Sequence, residues 1–157
     1  MGAATPEAQA SPVASHNGTL LISGMYYSCK DFKTIGDAYC GRHGNTWLTA
    51  SCLTQDQSRV TSVLYLNHCL ANNFGKISAE PEGNFGKSCN FALARTPVMK
   101  GTELQTYCSK PGSNWPEYTT LDLDPFVGND NGQLGCFDSR GCSIDDPSCK
   151  DKPPGKC

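Results

Sequence analysis

Two asparagine-rich tetrapeptides carry the residue types best suited to recognition. Asn72-Asn73-Phe74-Gly75 is followed 57 residues later by Asn129-Asp130-Asn131-Gly132. Amide and carboxylate groups on a tight turn present donors and acceptors in fixed directions. Asn131-Gly132 has the composition of a two-residue type I′ hairpin turn, in which both central residues take positive φ. Turn formation alone explains such residues in many sequences. In the first copy the same turn would hold Phe74 at positive φ, which is costly for a bulky side chain, so a different turn type is the alternative there.

The other candidates for chemistry are weaker. Asp122 and Asp124 lie two apart on an extended segment and so share a face. Glycoside hydrolysis needs its carboxylates across a cleft, on separate elements. The alternation with Leu121 and Leu123 makes these acids a solvated outer face. His68 adjoins Cys69, which reads as a disulfide partner, and no Gly-x-Ser-x-Gly sequence occurs. A calcium loop would place Val127 at the first ligand position, where an acid is required. The chain has no Cys-x-x-Cys pair and only three His, none at ligand spacing, so no metal site is expected. Trp47 and Trp115 have rings suited to sugar platforms; Trp47, beside Leu48, is expected in the core, and Trp115, in Asn114-Trp115-Pro116, in a surface loop. The sequence holds no catalytic set and no cofactor site, and is read as non-enzymatic.

The elements that must position the two tetrapeptides are themselves duplicated. Repeat one runs over 24–79. It reads as strands at Met25–Phe32, Trp47–Cys52 and Ser62–Leu66, a loop over Lys33–Asn45, a single helical turn near Asn67–Ala71 and a hairpin ending at Ile77. Repeat two runs over 84–136, with strands at Phe85–Phe91, Glu103–Cys108 and Tyr118–Leu123, a turn near Asp124–Gly128 and a second hairpin. Glu80-Pro81-Glu82-Gly83 forms the hinge, over residues 80–83. Cys29 aligns with Cys89, Cys52 with Cys108, Asn72 with Asn129 and Gly75 with Gly132. Residues 1–23 read as a flexible leader, with Leu20-Leu21-Ile22 opening the folded part, and 138–157 as a Cys-rich extension unable to build a core.

Ten Cys in 157 residues, an even count, suggest a disulfide framework added to an ordinary core. The net charge of −2 gives no electrostatic reason for a nucleic-acid partner. No apolar run approaches a transmembrane length, and no basic run favours anionic membranes. Secretion is expected from the cysteines, with a signal removed ahead of an Ala/Pro/Ser-rich segment that lacks an apolar stretch of its own. Asn17-Gly18-Thr19 is a glycosylation sequon.

Both repeats share an ordered pattern: Cys, a Leu-x-x-x-Cys strand (Leu48 to Cys52, Leu104 to Cys108), a Ser/Thr-rich strand ending in Leu-Asn or Leu-Asp, then Asn-x-x-Gly-x-aliphatic. The junction has Pro81, Asn84-Phe85 and Ser88-Cys89. In these residues the chain resembles the cyanovirin-N family of mannose-binding lectins over 24–137. The resemblance implies an all-β, disulfide-rich fold: two pseudo-symmetric halves from tandem repeats, with three-stranded sheets and exchanged β-hairpins. It implies bridges Cys29–Cys52 and Cys89–Cys108. Cys40 and Cys69, without partners in repeat two, are then expected to pair, leaving Cys136, Cys142, Cys149 and Cys157 to pair among themselves. Carried over by position, one carbohydrate pocket would use Gly24, Tyr27, Ser28, Leu53, Gln55, Asn129, Asp130 and Asn131. The other would use Gly83, Asn84, Lys87, Ser88, Asn72, Asn73, Phe74, Lys110 and Ser113. Leu53 in the first of these pockets and Phe74 in the second stand where the family has acidic residues. Because Asn129-Asp130-Asn131-Gly132 keeps good turn and sugar-binding chemistry while Phe74 suits its turn poorly, the pocket at Asn129–Asn131 is expected to be the more lectin-like. The function implied is a secreted fungal lectin for mannose-rich or related oligosaccharides on glycoproteins, a monomer able to form a domain-swapped dimer. The alternative is a secreted interaction module, an effector or inhibitor acting on a host or competitor protein.

Overall fold

The computed structural model describes residues 12–14, 20–22, 24–37, 44–89 and 96–155. Repeat one contributes a short helix α1 (Met25–Ser28) and an antiparallel meander of β3 (Cys29–Gly36), β4 (Thr46–Leu53) and β5 (Arg59–Tyr65). It ends in a 3-10 turn at Leu66–His68 and a hairpin of β6 (Leu70–Asn73) and β7 (Lys76–Ala79). Repeat two repeats the plan: a 3-10 turn at Phe85–Lys87, a meander of β8 (Val98–Lys100), β9 (Glu103–Cys108) and β10 (Glu117–Asp122), and a hairpin of β11 (Gly128–Asp130) and β12 (Gln133–Cys136). Upstream, within the segment read as a flexible leader, the backbone of β1 (Pro12–Ala14) pairs antiparallel with β2 (Leu20–Ile22). The extension adds β13 (Ser139–Arg140) to β12 and β14 (Cys142–Ser143) to β5.

The two hairpins are exchanged between halves. The backbone N–H of Ile77, on the first hairpin, donates to Thr119 Oγ1 of β10 at 3.1 Å. The backbone N–H of Leu134, on the second, donates to Ser62 Oγ of β5 at 2.9 Å. The two contacts are related by the same 57-residue offset as the tetrapeptides. Leu134 is fully buried and Ile77 is 5% exposed. Each such apolar side chain stabilises by about 1.5–3 kcal/mol, so each hairpin is anchored in its partner repeat by the residue just after its turn.

The apolar pattern explains the packing. In β9 alternate residues Leu104, Thr106 and Cys108 are buried, as expected for a sheet with one covered face. β4 is buried nearly throughout. Its Leu48, Ala50 and Cys52 enter the main core, while Trp47 packs with Val63 and Cys149 of the extension. Residues 138–155 therefore cover the outer face of the first sheet. Ile144 N–H donates to Thr61 O at 2.9 Å, and the Asp151 carboxylate lies 3.5 Å from His68 Nε2.

Two expected strands are helical at their start. Met25–Phe32 opens as α1 and only then becomes β3, which runs on to Gly36 into the segment read as loop; Phe85–Phe91 opens as the 3-10 turn, and its last two residues lie outside the described ones. Long-range bonds hold the first: Gly24 N–H donates to Asp124 O at 3.0 Å, Met25 N–H to Val127 O at 3.3 Å and Tyr26 N–H to Asp124 Oδ1 at 2.8 Å. The turn bends the chain so that Met25 and Phe85 both enter the core.

Cys29–Cys52 and Cys89–Cys108 are bridged as the resemblance implies. The expected Cys40–Cys69 pair is not formed: Cys69 is bonded to Cys136. Cys69 precedes β6 and Cys136 closes β12, and hairpin exchange brings the base of one against the end of the other. The tail cysteines thus do not all pair together, although Cys142–Cys149 is a tail bridge. Cys40 and Cys157 lie outside the described residues.

Candidate functional site

Both tetrapeptides form the same turn. Phe74 and Gly75 have φ of 53° and 90°, Asn131 and Gly132 of 49° and 90°. This is the positive-φ pair of a type I′ turn, so Phe74 takes the conformation that its size disfavours. The first asparagine of each set fastens its turn. Asn72 Oδ1 accepts from Gly75 N–H at 2.8 Å, and its Nδ2 donates to Ser88 Oγ and Ser109 O, each at 2.8 Å. Asn129 Oδ1 accepts from Gly132 N–H at 2.8 Å, and its Nδ2 donates to Leu53 O at 2.9 Å. These amides are committed to docking one repeat on the other.

Around the first turn the structure opens a groove of about 500 Å³, lined by Asn72, Asn73, Phe74, Ser88, Ser109, Lys110 and Pro111. β6 supplies the asparagines, the turn supplies Phe74, and the segment after Cys108 supplies the opposite wall. Lys110 Nζ lies 3.2 Å from Glu117 Oε1, so the one cation lining the groove is paired. A Cβ at Gly75 would meet the flexible end of Glu117 at 2.9 Å, and the φ of 90° is what makes glycine the fitting residue at this position. Asn73 Nδ2 donates to Ser78 Oγ at 2.5 Å and Glu80 Oε2 at 3.1 Å. The groove offers hydroxyl, amide and ammonium groups beside an aromatic ring and a proline.

The other half is differently finished. Gln55 N–H donates to Asn131 Oδ1 at 2.8 Å, and Arg140 Nε donates to Asp130 Oδ2 at 3.2 Å. Arg140 comes from β13, in the extension. Tyr27 and Gln55 are exposed, and Ser28 is half-buried. The Gln55 loop is tied by Asp56, whose carboxyl is held down to about 2 by hydrogen bonds from the Ser58 and Thr54 hydroxyls and the Ser58 N–H.

Of the residues expected in the second pocket, Asn72, Asn73, Phe74, Ser88 and Lys110 meet in the groove. Asn84 precedes the 3-10 turn and Lys87 ends it, both exposed, and neither lines the groove. Ser113 is turned towards Trp115, with its hydroxyl 2.9 Å from the Trp115 carbonyl. Ser109 and Pro111 were not anticipated. Their signal is position, since they follow Cys108 as Leu53 and Gln55 follow Cys52. A smaller groove of about 320 Å³ lies where the extension meets the first sheet, with Asp37, Trp47, Tyr65 and Lys150 among its walls. Among the described residues no cluster of His, Cys, Asp or Glu could hold a metal ion.

The sequence matches the family model for the CVNH domain over residues 25–135, most of the chain. The chain belongs to the CVNH family. Members of this family are lectins and not enzymes, and the chain carries their carbohydrate-binding fold. Among solved structures, GzCVNH of Gibberella zeae is 22% identical with a TM-score of 0.55, covering 73% of this chain and 97% of that one. The MoCVNH3 variant Mo0v, in complex with (N-GlcNAc)4, is 20% identical with a TM-score of 0.55, covering 74% and 98%. Microvirin, in a mannobiose complex, is 19% identical with a TM-score of 0.51, covering 73% and 99%. At these identities the likeness is one of fold. No curated protein matches the chain. The extension beyond residue 136, with Arg140 on Asp130 and β14 on β5, lies outside the matched CVNH region.

Proposed function

We propose that this CVNH protein binds oligosaccharides, without chemistry, through the groove at Asn72–Phe74. The carrying observation is the groove itself. Its lining joins donors and acceptors to an aromatic face, and its one cation is already paired. Sugar hydroxyls are donors and acceptors together, and neutral ligands fit a charge-balanced site. The half at Asn129–Asn131 is the secondary site, because Asn131 stands where the other turn presents the Phe74 ring and Arg140 covers Asp130. Mannose-rich glycans and β-linked N-acetylglucosamine chains are the two sugar classes to compare, mannobiose and (N-GlcNAc)4 being bound by structural relatives. An extracellular location is supported by four disulfides among the described residues.

A glycan array on the wild type, Asn73→Ala and Lys110→Ala tests the site. We expect glycan signal that falls in both variants. Signal that neither substitution changes moves the site elsewhere. No signal at high protein concentration removes sugar binding and leaves the protein-interaction role for the same scaffold.

A further inference from the structure

Turn chemistry accounts for the conformation at position 74, but neither it nor packing accounts for a phenylalanine there. Phe74 sits at φ 53°, a conformation rare for a bulky residue, while the twin turn fills the same position with Asn131 at φ 49°. Phe74 itself is 74% exposed, so the core does not hold it there. Exposure of a large aromatic at a strained position points to function rather than folding. The ring lines the groove together with Pro111 and the polar groups of Asn73, Ser88 and Lys110.

A platform of this kind discriminates sugars by stereochemistry. In a pyranose of β-gluco configuration every ring substituent is equatorial. Both faces then show only C–H bonds, and the hydroxyls point outward in the ring plane. Such a ring can lie flat on an aromatic face and reach polar groups at its edge. An α-mannoside carries an axial oxygen on each face, O1 on one and O2 on the other, so neither face stacks without burying an unpaired oxygen. Resting on the carbohydrate reading of this groove, we propose that Phe74 is a stacking platform that selects β-linked chains of gluco configuration, glucose or N-acetylglucosamine, over α-linked mannose.

The test is an NMR titration of the wild type, Phe74→Asn and Phe74→Trp with chitotetraose, cellotetraose and α-1,2-mannobiose. Asn suits positive φ, so the first variant relieves the turn and folds at least as well. We expect both β-linked tetrasaccharides to shift the Ser88, Ser109 and Lys110 amides and to bind about tenfold tighter than mannobiose. Phe74→Asn lowers β-gluco affinity about tenfold and leaves mannobiose unchanged, while Phe74→Trp keeps the preference. A preference for mannobiose overturns the proposal. So does equal weakening of all three sugars, or β-gluco binding indifferent to Phe74→Asn, with the groove still standing as a sugar site. If no sugar shifts the groove amides, both the platform and the carbohydrate site fall.

Discussion

Asn129 gives the sharpest test of how the two repeats are joined. Its amide donates to Leu53 O and accepts from Gly132 N–H, so it locks the second hairpin onto repeat one. Asn129→Ala leaves a partly buried carbonyl and a turn N–H without partners. At about 1 kcal/mol for each lost bond, and more where the orphan stays dry, the loss is about 2 kcal/mol. Asn129→Asp is the diagnostic change. It keeps the acceptor for Gly132 N–H but turns a carboxylate onto Leu53 O. At neutral pH it should destabilise at least as much as Asn129→Ala. The introduced carboxyl has its pKa raised in the folded state, because only its protonated form can donate to Leu53 O. The protonated form's bond is therefore fully present below the ordinary Asp value of about 3.9, and is lost as pH rises through the raised folded value. Urea midpoints, followed by tryptophan fluorescence and referred to wild type at each pH, measure this. If Asn129→Asp stays within about 0.5 kcal/mol of wild type at neutral pH, the keystone role is refuted.

Other perturbations probe separate features. Replacing Cys69 and Cys136 together by Ala should cost about 4 kcal/mol by the loop-closure relation for a 67-residue separation, and shortening the loop through the nested Cys89–Cys108 bridge changes little; denaturant unfolding under non-reducing conditions checks it. Asp56, lowered from 3.8 to about 2, contributes loop stability that is fully present above 3.8 and lost as pH falls through about 2. Its carboxyl signal in NMR should titrate in that window, with the Ser58 amide following, and Asp56→Asn should abolish the transition. Gly141→Ala would bring a Cβ within 2.2 Å of Val63 O, so β14 should lift from β5 at a cost of about 1–3 kcal/mol and residues 138–155 should become protease-sensitive.

The duplicated architecture was legible because its signals are local. A strand such as Glu103–Cys108 alternates within six residues, and Asn131-Gly132 carries its turn type in two. Cys29–Cys52 and Cys89–Cys108 close within one repeat, across positions that face one another. Cys69–Cys136 was not legible, because its geometry exists only after the hairpins are exchanged. The helix at Met25 depends on carbonyls from Asp124 and Val127, near the far end of the other repeat. Within the groove the asparagines and Phe74 were visible from the repeat, but the conformation of Phe74 was not. Propensity argues against φ 53° for that residue, and the turn imposed by Gly75 and Asn72 overrides it. Arg140 on Asp130 was hidden for a further reason. It belongs to an extension whose charged, Pro- and Gly-rich composition gives no periodic signal.

Cys69–Cys136 also decides what the hinge can do. Residues 80–83 join repeats that already trade hairpins, so opening the hinge would let one chain's repeat one close on another chain's repeat two. In that arrangement Cys69 of each chain would face Cys136 of the other. An oxidised single chain cannot reach it without first breaking its own bond, because the bridge tethers the two repeats at a second point. A chain oxidised alone would therefore stay single until that bridge was reduced, whereas in a pair formed before oxidation the same two cysteines would join one chain to the other.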